Sequence, residues 1–206
     1  MEQILKYFPD ISDRQRRQFE MLDGLYHDWN AKINVISRKD IDNLYVHHVL
    51  HSLAIAKTLH FRDCTKIMDF GCGGGFPGIP LAIMFPHCDF KLIDGTGKKI
   101  KVCQEVAAAI GLKNVVAEHL RGEDEKGKFD FIVSRAVMPL PDMVKIVRKN
   151  ISKNHRNAMP NGIFCLKGGD LQAELHPFRK IVEQTDLSSY FDEEWFKEKH
   201  LIYLPI

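Results

Sequence analysis

A run of glycines between two apolar segments constrains the fold of this chain more than any other feature. The run Asp69-Phe-Gly-Cys-Gly-Gly-Gly-Phe-Pro-Gly78 follows the apolar pair Ile67-Met68 and leads into apolar residues with helical spacing. Glycine suits a tight strand-to-helix turn because such a turn takes positive φ angles, and because a ligand can approach backbone that lacks a Cβ. The run predicts a strand, loop and helix that together bind a nucleotide-like ligand. The alternative is a tight connection that binds nothing.

The sequence after residue 65 alternates between strand-like and helix-like segments. Strands are predicted near 65–70, 88–93, 113–117, 129–133 and 163–167, and helices over 77–85, 97–110, 140–149 and 171–184. This alternation is typical of a parallel sheet with helices on both faces. Two short apolar runs, Tyr190-Phe191 and Leu201–Ile206, close the chain and are predicted to pair antiparallel as a hairpin at the sheet edge.

The first 60 residues have a different pattern. Their apolar residues recur with helical spacing, first around Phe19, Leu22 and Tyr26 and then around Val49 and Leu53. We therefore predict a helical N-terminal extension over 1–60, packed on a Rossmann-like α/β domain over 61–206. The predicted fold class is α/β, with a mostly parallel seven-stranded sheet and an antiparallel terminal strand.

Composition indicates an ordinary globular chain. Hydrophobic residues make up 45% and charged residues 27% of the 206 positions, and no apolar run reaches the length of a membrane span. The N-terminus lacks the pattern of a signal peptide, and the five cysteines form no Cys-x-x-Cys pair, so a cytoplasmic protein with reduced thiols is expected. We expect a monomer. The net charge of +2 is too small to indicate a nucleic-acid partner by itself.

Two ligands compete for the glycine loop. Gly73-x-Gly75-x-x-Gly78 matches the dinucleotide fingerprint, while Gly71-x-Gly73-x-Gly75 matches the loop of methyltransferases that use S-adenosylmethionine. Asp69 favours the second, because a carboxylate there repels a pyrophosphate and suits an amino group. Asp94, at the end of the next strand, is compatible with either ligand, because its carboxylate can accept hydrogen bonds from ribose hydroxyls. The terminal hairpin also favours a methyltransferase. An NAD(P)-dependent oxidoreductase remains the alternative.

Several motifs together resemble one bacterial family. They are Trp29-Asn30-x-x-x-Asn34-Val-Ile-Ser-Arg38, His48-Val-Leu-His-Ser52-Leu53, Asp69-Phe-Gly-x-Gly-x-Gly-Phe-Pro-Gly-Ile-Pro80, Asp94-x-x-x-Lys98-Lys99, Ser134-Arg135-Ala136 and Leu166-Lys167-Gly168-Gly169. In this combination the chain resembles the RsmG family, also called GidB, over nearly its whole length. The resemblance implies a class I fold and methyl transfer from S-adenosylmethionine to N7 of guanine 527 in 16S ribosomal RNA of the small subunit.

The resemblance also implies which residues bind the methyl donor. Gly71 and Phe76 line the donor pocket, Asp94 holds the ribose, Gly122 and Glu123 flank the adenine, and Arg135 closes the site. Gly95 and Thr96 are candidates because they share the turn of Asp94, and Asp69 is a candidate because its carboxylate suits an amino group. Two departures from the family pattern are present. Gly122 stands where the family usually has alanine, and the turn Asp94-Gly95-Thr96-Gly97 is richer in glycine than its usual counterpart.

The chemistry of this reaction requires no general base, because guanine N7 carries a lone pair and no proton. We therefore predict no acid–base catalytic residue, and catalysis by positioning in a dry pocket. Candidates for RNA contact are the cations Arg38, Lys98, Lys99, Arg135 and Lys167. His47 and His51 lie one helical turn apart, as paired metal ligands do, but no third ligand is evident, so no metal site is predicted.

Overall fold

A seven-stranded sheet forms the centre of the computed structural model, which describes residues 1–206. Its strands are β1 (Lys66–Phe70), β2 (Asp89–Asp94), β3 (Val115–His119), β4 (Phe131–Arg135), β5 (Gly162–Gly168), β6 (Glu183–Asp186) and β7 (Lys199–Pro205). The strand order is β3-β2-β1-β4-β5-β7-β6. Strands β1 to β5 are parallel, and β7 runs antiparallel to both of its neighbours. The predicted fold class is confirmed.

Seven α-helices accompany the sheet. They are α1 (Glu2–Tyr7), α2 (Asp13–Lys32), α3 (His51–Thr58), α4 (Gly78–Met84), α5 (Gly97–Ala109), α6 (Leu140–Val147) and α7 (Gln172–Leu175). A 3-10 turn over Ile41–Asn43 and a π-helix over Leu44–Leu50 lead directly into α3. Further 3-10 turns cover Gly122–Asp124, Arg148–Asn150, His176–Phe178, Leu187–Ser189 and Glu194–Glu198. No helix combines the length and the hydrophobicity needed to span a bilayer.

The start of α2 fastens the N-terminal extension to the sheet domain. Ser12 and Gln15 form a capping box, in which each residue hydrogen-bonds the backbone N–H of the other. The Gln15 amide also donates to the carbonyl oxygens of Ile83 and Met84, at 3.0 Å each. These two carbonyls are at the end of α4, where a helix leaves its acceptors unpaired. One side chain therefore caps two helices at once.

The apolar core consists of two clusters, one on each face of the sheet. The larger has 39 buried residues and joins the extension, through residues such as Phe19, Leu22 and Leu53, to the β1, β2 and β4 face and helices α4 and α5. The smaller has 16 buried residues and packs α6 and α7 on the opposite face. Alternate residues of a strand point to opposite faces, so Ile67 belongs to the first cluster and Met68 to the second.

Near the C-terminus the structure differs from the sequence prediction. The helix predicted over 171–184 stops at Leu175, and Glu183–Asp186 forms the edge strand β6 instead. Pro177 has no backbone N–H to continue the helix, and the polar edge strand carries no apolar alternation by which to recognise it. The terminal hairpin exists, but its strands are β6 and β7. The predicted run Tyr190-Phe191 follows a 3-10 turn, and Phe191 packs in the core.

Candidate functional site

A cavity of about 330 Å³ opens at the carboxyl ends of β1, β2 and β3, beside the turn that follows β4. We call it the glycine-loop cavity. Predicted donor-binding residues that line it are Gly71, Asp94, Gly95, Thr96, Gly122 and Glu123. Phe70, Ile93, Leu120, Arg121, Val137 and Met138 complete its wall. Residues from four strand ends therefore meet here, as expected for ligand sites at the carboxyl edge of a parallel sheet.

The backbone of the glycine loop takes conformations that side chains disfavour. Gly71, Gly73 and Gly75 have φ angles of +68°, +57° and +101°. At Gly75 an added Cβ would come within 2.5 Å of the Ile79 side chain, whereas at Gly73 it would meet nothing within 4 Å. Gly75 is therefore required by packing inside the loop, and Gly73 leaves bare backbone facing open space, where a ligand can approach.

Asp94 organises the opposite wall. One carboxylate oxygen accepts from the backbone N–H of Gly73 at 3.0 Å, and the other accepts from the N–H of Thr96 at 2.8 Å. Each oxygen has a second lone pair. The carboxylate therefore ties the glycine loop to the turn after β2 and keeps acceptor capacity for ribose hydroxyls in the cavity.

Asp69 lies beneath the glycine loop rather than in the cavity. Its side chain is fully buried, one carboxylate oxygen accepts from the N–H of Gly78 at 2.7 Å, and the other has no partner. Burial raises the pKa of Asp69 to about 7. Strand alternation explains the position, because Phe70 faces the cavity and its neighbour must point to the other face. Asp69 therefore does not line the cavity, and its contact with a methyl donor stays a prediction.

Gly122 has a steric reason to be glycine. An added Cβ would lie 2.1 Å from Cε2 of Phe70, closer than atoms can approach. The aromatic ring of Phe70 thus fills the space that the usual alanine of the resembled family would need. The departure noted in the sequence is accounted for by the neighbouring strand end.

Tyr26 is a structural partner of the loop that sequence reasoning assigned only to the helical core pattern. Its hydroxyl donates to the carbonyl oxygen of Gly74 at 2.7 Å, and its ring packs on Phe76 with a centroid distance of 4.8 Å. Phe76 itself is 3% exposed and does not line the glycine-loop cavity. It packs in the core between Tyr26, His48 and Arg135.

Arg135 joins the end of β4 to the N-terminal extension. Its guanidinium donates to the carbonyl oxygen of His47 at 3.1 Å and to Nδ1 of His48 at 2.9 Å, and its Cζ lies 5.1 Å from the Phe76 ring centroid. Burial lowers the pKa of Arg135 to about 10, so the group stays charged at neutral pH. Arg135 lines a second cavity, of about 340 Å³, which we call the histidine cavity.

Three histidines line the histidine cavity: His48 and the pair His47 and His51, whose spacing resembles that of paired metal ligands. His47 and His48 both hydrogen-bond the carboxylate of Asp40, the second at 2.7 Å. A guanidinium can only donate, so His48 must accept at Nδ1 and carry its proton on Nε2. Burial and the nearby charge of Arg135 lower the pKa of His48 to about 4, consistent with a neutral ring. Asp40 and Arg135 thus supply hydrogen-bond partners for His47 and His48.

The predicted RNA contacts differ in availability. Arg38 and Lys98 are exposed, and Lys99 is half-buried at the first turn of α5 beside the glycine-loop cavity. Lys167 is already engaged, because its ammonium donates to the Met138 carbonyl at 2.9 Å and pairs with Glu174 at 2.7 Å. Arg38, Lys98 and Lys99 are the cations that this arrangement leaves open to a polyanion.

The strand order, the reversed seventh strand and the cavity at the carboxyl edge define a protein with the class I methyltransferase fold. Solved structures of that fold are similar. The chain matches a precorrin-6y C5,15-methyltransferase from Geobacter metallireducens with a TM-score of 0.57 and 11% identity, covering 84% of this chain and 90% of that one. It matches a coclaurine N-methyltransferase bound to S-adenosylhomocysteine with a TM-score of 0.52 and 12% identity, covering 80% and 56%.

Sequence comparison identifies the family. The family model described as GidB, rRNA small subunit methyltransferase G, matches residues 15–201. A ribosomal RNA small subunit methyltransferase G from Bacteroides thetaiotaomicron is 62% identical over 206 residues, covering 100% of both chains. The chain belongs to this family, and the resemblance inferred from its motifs is confirmed.

The dinucleotide alternative is not favoured. A dinucleotide places its pyrophosphate against the helix N-terminus that follows the glycine loop. Here the N–H of Gly78, the first residue of α4, already donates to the buried carboxylate of Asp69. The N–H that would bind a pyrophosphate is therefore already occupied, which disfavours a dinucleotide at this loop.

Proposed function

We propose that this protein transfers a methyl group from S-adenosylmethionine to N7 of guanine 527 in 16S ribosomal RNA of the small subunit. The observation that carries the proposal is the convergence of Gly71, Asp94 and Glu123 on the glycine-loop cavity, in a chain of the small-subunit methyltransferase G family. We further propose that residues 1–60 and 61–206 work as one unit in a cytoplasmic monomer.

The residues of the cavity fit this methyl donor. Gly95 leaves bare backbone toward open space, and Asp94 keeps lone pairs for two ribose hydroxyls. Gly122 and Glu123 lie at the far wall, where the resemblance assigns the adenine. When bound, S-adenosylmethionine supplies an electrophilic methyl group on a positively charged sulfur. The roles of Asp69, Phe76 and Arg135 in donor binding stay predictions, since none of the three lines this cavity.

The protein orients the two reactants and excludes water from the site, and it transfers no proton. Guanine N7 attacks through its lone pair, the bond from carbon to sulfur breaks, and no proton has to leave N7 in the step. An in-line arrangement is therefore the main requirement. The base must leave its stack to reach the site, which is least costly in single-stranded RNA. Arg38, Lys98 and Lys99 are proposed to bind the phosphates around it.

The test is a methyl-transfer assay on small subunits from cells that lack the N7 methyl group at this guanine. Labelled S-adenosylmethionine is expected to mark the guanine at position 527, and subunits with adenine at that position are the matched control. Calorimetry with S-adenosylhomocysteine and with NAD checks the cofactor, and only the former is expected to bind. Absence of transfer to any small-subunit RNA would overturn the proposal.

A further inference from the structure

The histidine cavity adjoins the glycine-loop cavity across one short turn. Ala136 lines the histidine cavity, whereas the next two residues, Val137 and Met138, line the glycine-loop cavity. Ala136 has a φ of +51°, a conformation that turns the chain sharply after β4. The turn at Ala136 therefore lies between the two cavities.

Two polar groups in the histidine cavity, Asp40 and His51, have hydrogen-bonding capacity that the protein leaves unused, and the carboxylate of Asp40 can only accept. Asp40 accepts from His47 and His48, which uses two of the roughly four lone-pair positions of a carboxylate. Its side chain is 31% exposed. His51 is only 5% exposed and lines the same cavity, yet its Nε2 has no partner. A buried polar atom without a partner is costly, and a ligand can relieve that cost.

The charge of Asp40 is secured by its neighbours. Partial burial opposes ionisation, but the hydrogen bonds from His47 and His48 outweigh it and hold the pKa of Asp40 below its usual value. The other titratable groups around the cavity are His51, Arg135, Lys167 and Lys199. The site thus combines one anionic acceptor with surrounding cations, which suits a base attached to a phosphate backbone.

Aromatic rings line the same cavity. The Trp195 ring lies parallel to the His47 ring, with centroids 4.3 Å apart and planes 12° apart, and His51 meets Trp195 edge-on at 5.1 Å. Lys199 Nζ lies 4.7 Å from the Trp195 ring centroid. Flat aromatic surfaces with a nearby cation are how proteins bind unstacked bases of single-stranded RNA.

Resting on the function proposed above, we propose that the histidine cavity receives the extruded target base and that the Asp40 carboxylate selects guanine there. With N7 directed at the methyl donor, the opposite edge of guanine presents N1–H and the N2 amino group. Both are donors, and Asp40 has lone pairs for them. Adenine has a bare N1 lone pair and no 2-amino group, so the carboxylate repels it. Asp40 is thus a specificity residue of the reaction.

The experiment compares guanosine with inosine at the target position, in 16S RNA made by ligation and assembled into small subunits. Inosine keeps N1–H, O6 and N7 and lacks only the 2-amino group. The wild-type protein is expected to favour guanosine in kcat/KM by roughly 10-fold to 100-fold, the range for a hydrogen bond to a charged group. In Asp40→Ala the preference should shrink to within about threefold, because the acceptor is gone.

Controls separate recognition from structure. Asp42→Ala removes a carboxylate that is 85% exposed two residues away, and it should keep the wild-type preference. Affinity for S-adenosylhomocysteine reports whether Asp40→Ala is folded. If it is not, Asp40→Asn serves instead: its amide keeps one neutral acceptor and loses the charge, so the preference for guanosine should fall below that of the wild type. An equal loss on both substrates would mean that Asp40 only positions the histidines, and it would overturn the inference, as would a wild-type protein indifferent to the 2-amino group. No transfer to the guanosine substrate by the wild-type protein would instead count against the proposed function.

Discussion

The hydroxyl of Tyr26 donates a 2.7 Å hydrogen bond to the carbonyl oxygen of Gly74 and so connects helix α2 to the glycine loop. Tyr26 is fully buried, so water cannot replace this donor. The N-terminal extension therefore supports the loop, whose first glycine, Gly71, lines the cavity. The extension is part of the construction of the site.

Replacing Tyr26 by phenylalanine should weaken both the fold and the donor site. The change leaves the Gly74 carbonyl buried without a partner, at a cost of about 1 to 3 kcal/mol in the free energy of unfolding. We expect S-adenosylhomocysteine to bind less tightly, since the loop loses its support. Chemical denaturation and calorimetry measure the two effects. Tyr203→Phe is the matched control, because that buried hydroxyl donates to the Pro160 carbonyl at 2.6 Å, away from the loop. Equal donor affinities in the two variants would contradict the prediction.

Gly122→Ala should push the Phe70 ring out of place. Its Cβ would lie 2.1 Å from that ring, and overpacking of this kind costs about 1 to 3 kcal/mol. Because both residues line the glycine-loop cavity, donor affinity should fall by roughly tenfold, as a binding titration can show. Gly24→Ala is the control: a Cβ there meets nothing within 4 Å, so α2 should gain about 0.5 to 1 kcal/mol with donor binding unchanged. If Gly122→Ala bound the donor as tightly as the wild type, donor binding would tolerate the displaced Phe70 ring, and the prediction would be wrong.

Asp69 should make stability depend on pH. Its pKa in the folded protein is about 7, above the unfolded value near 3.8, so the folded state holds the proton more tightly. The contribution of Asp69 protonation to the free energy of unfolding is complete below about pH 4. It is lost as the pH rises to about 7, and the free energy falls by no more than roughly 1.4 kcal/mol per pH unit. Urea unfolding of the wild-type protein and Asp69→Asn between pH 5 and 8.5 should show this difference. Asp28→Asn, at an exposed site, should parallel the wild type. If stability varied with pH in the same way in Asp69→Asn and in the wild type, the pKa of Asp69 would not be near 7.

Arg135→Lys should affect the histidine cavity and leave the glycine-loop cavity unchanged. Lysine cannot reproduce the forked hydrogen bonds to the His47 carbonyl and to His48 Nδ1, so the extension loses its attachment to β4. Since Arg135 lines the histidine cavity alone, methyl transfer should fall by roughly 10-fold to 100-fold while S-adenosylhomocysteine affinity stays within about twofold. Arg156→Lys is the control for the loss of an arginine contact, because the guanidinium of Arg156 donates to the Cys64 carbonyl. A matching loss of donor affinity would assign Arg135 to the methyl-donor site, as the resemblance implied.

Local patterns in the sequence predicted the fold class and most of its strands and helices. The strand, glycine loop and α4 follow from residues within about ten positions of one another, and Asp94 follows from its place at the end of β2. These inferences hold because turn chemistry and strand alternation act over short distances. The edge strand β6 was missed, since its pairing with β7 depends on a partner strand rather than on its own polar residues.

A strand, a glycine loop and a helix, with carboxylates near them, follow from the amino-acid sequence alone. The packed structure is needed to see that Asp69 lies under the loop, that Tyr26 supports it, and that Asp40 and Arg135 meet through His48. Asp40 and Arg135 are far apart in the chain, and their meeting depends on how the extension packs against the ends of β4 and β5. Burial and hydrogen bonding between distant segments set the charge and proton position of these groups, and no local pattern contains that information.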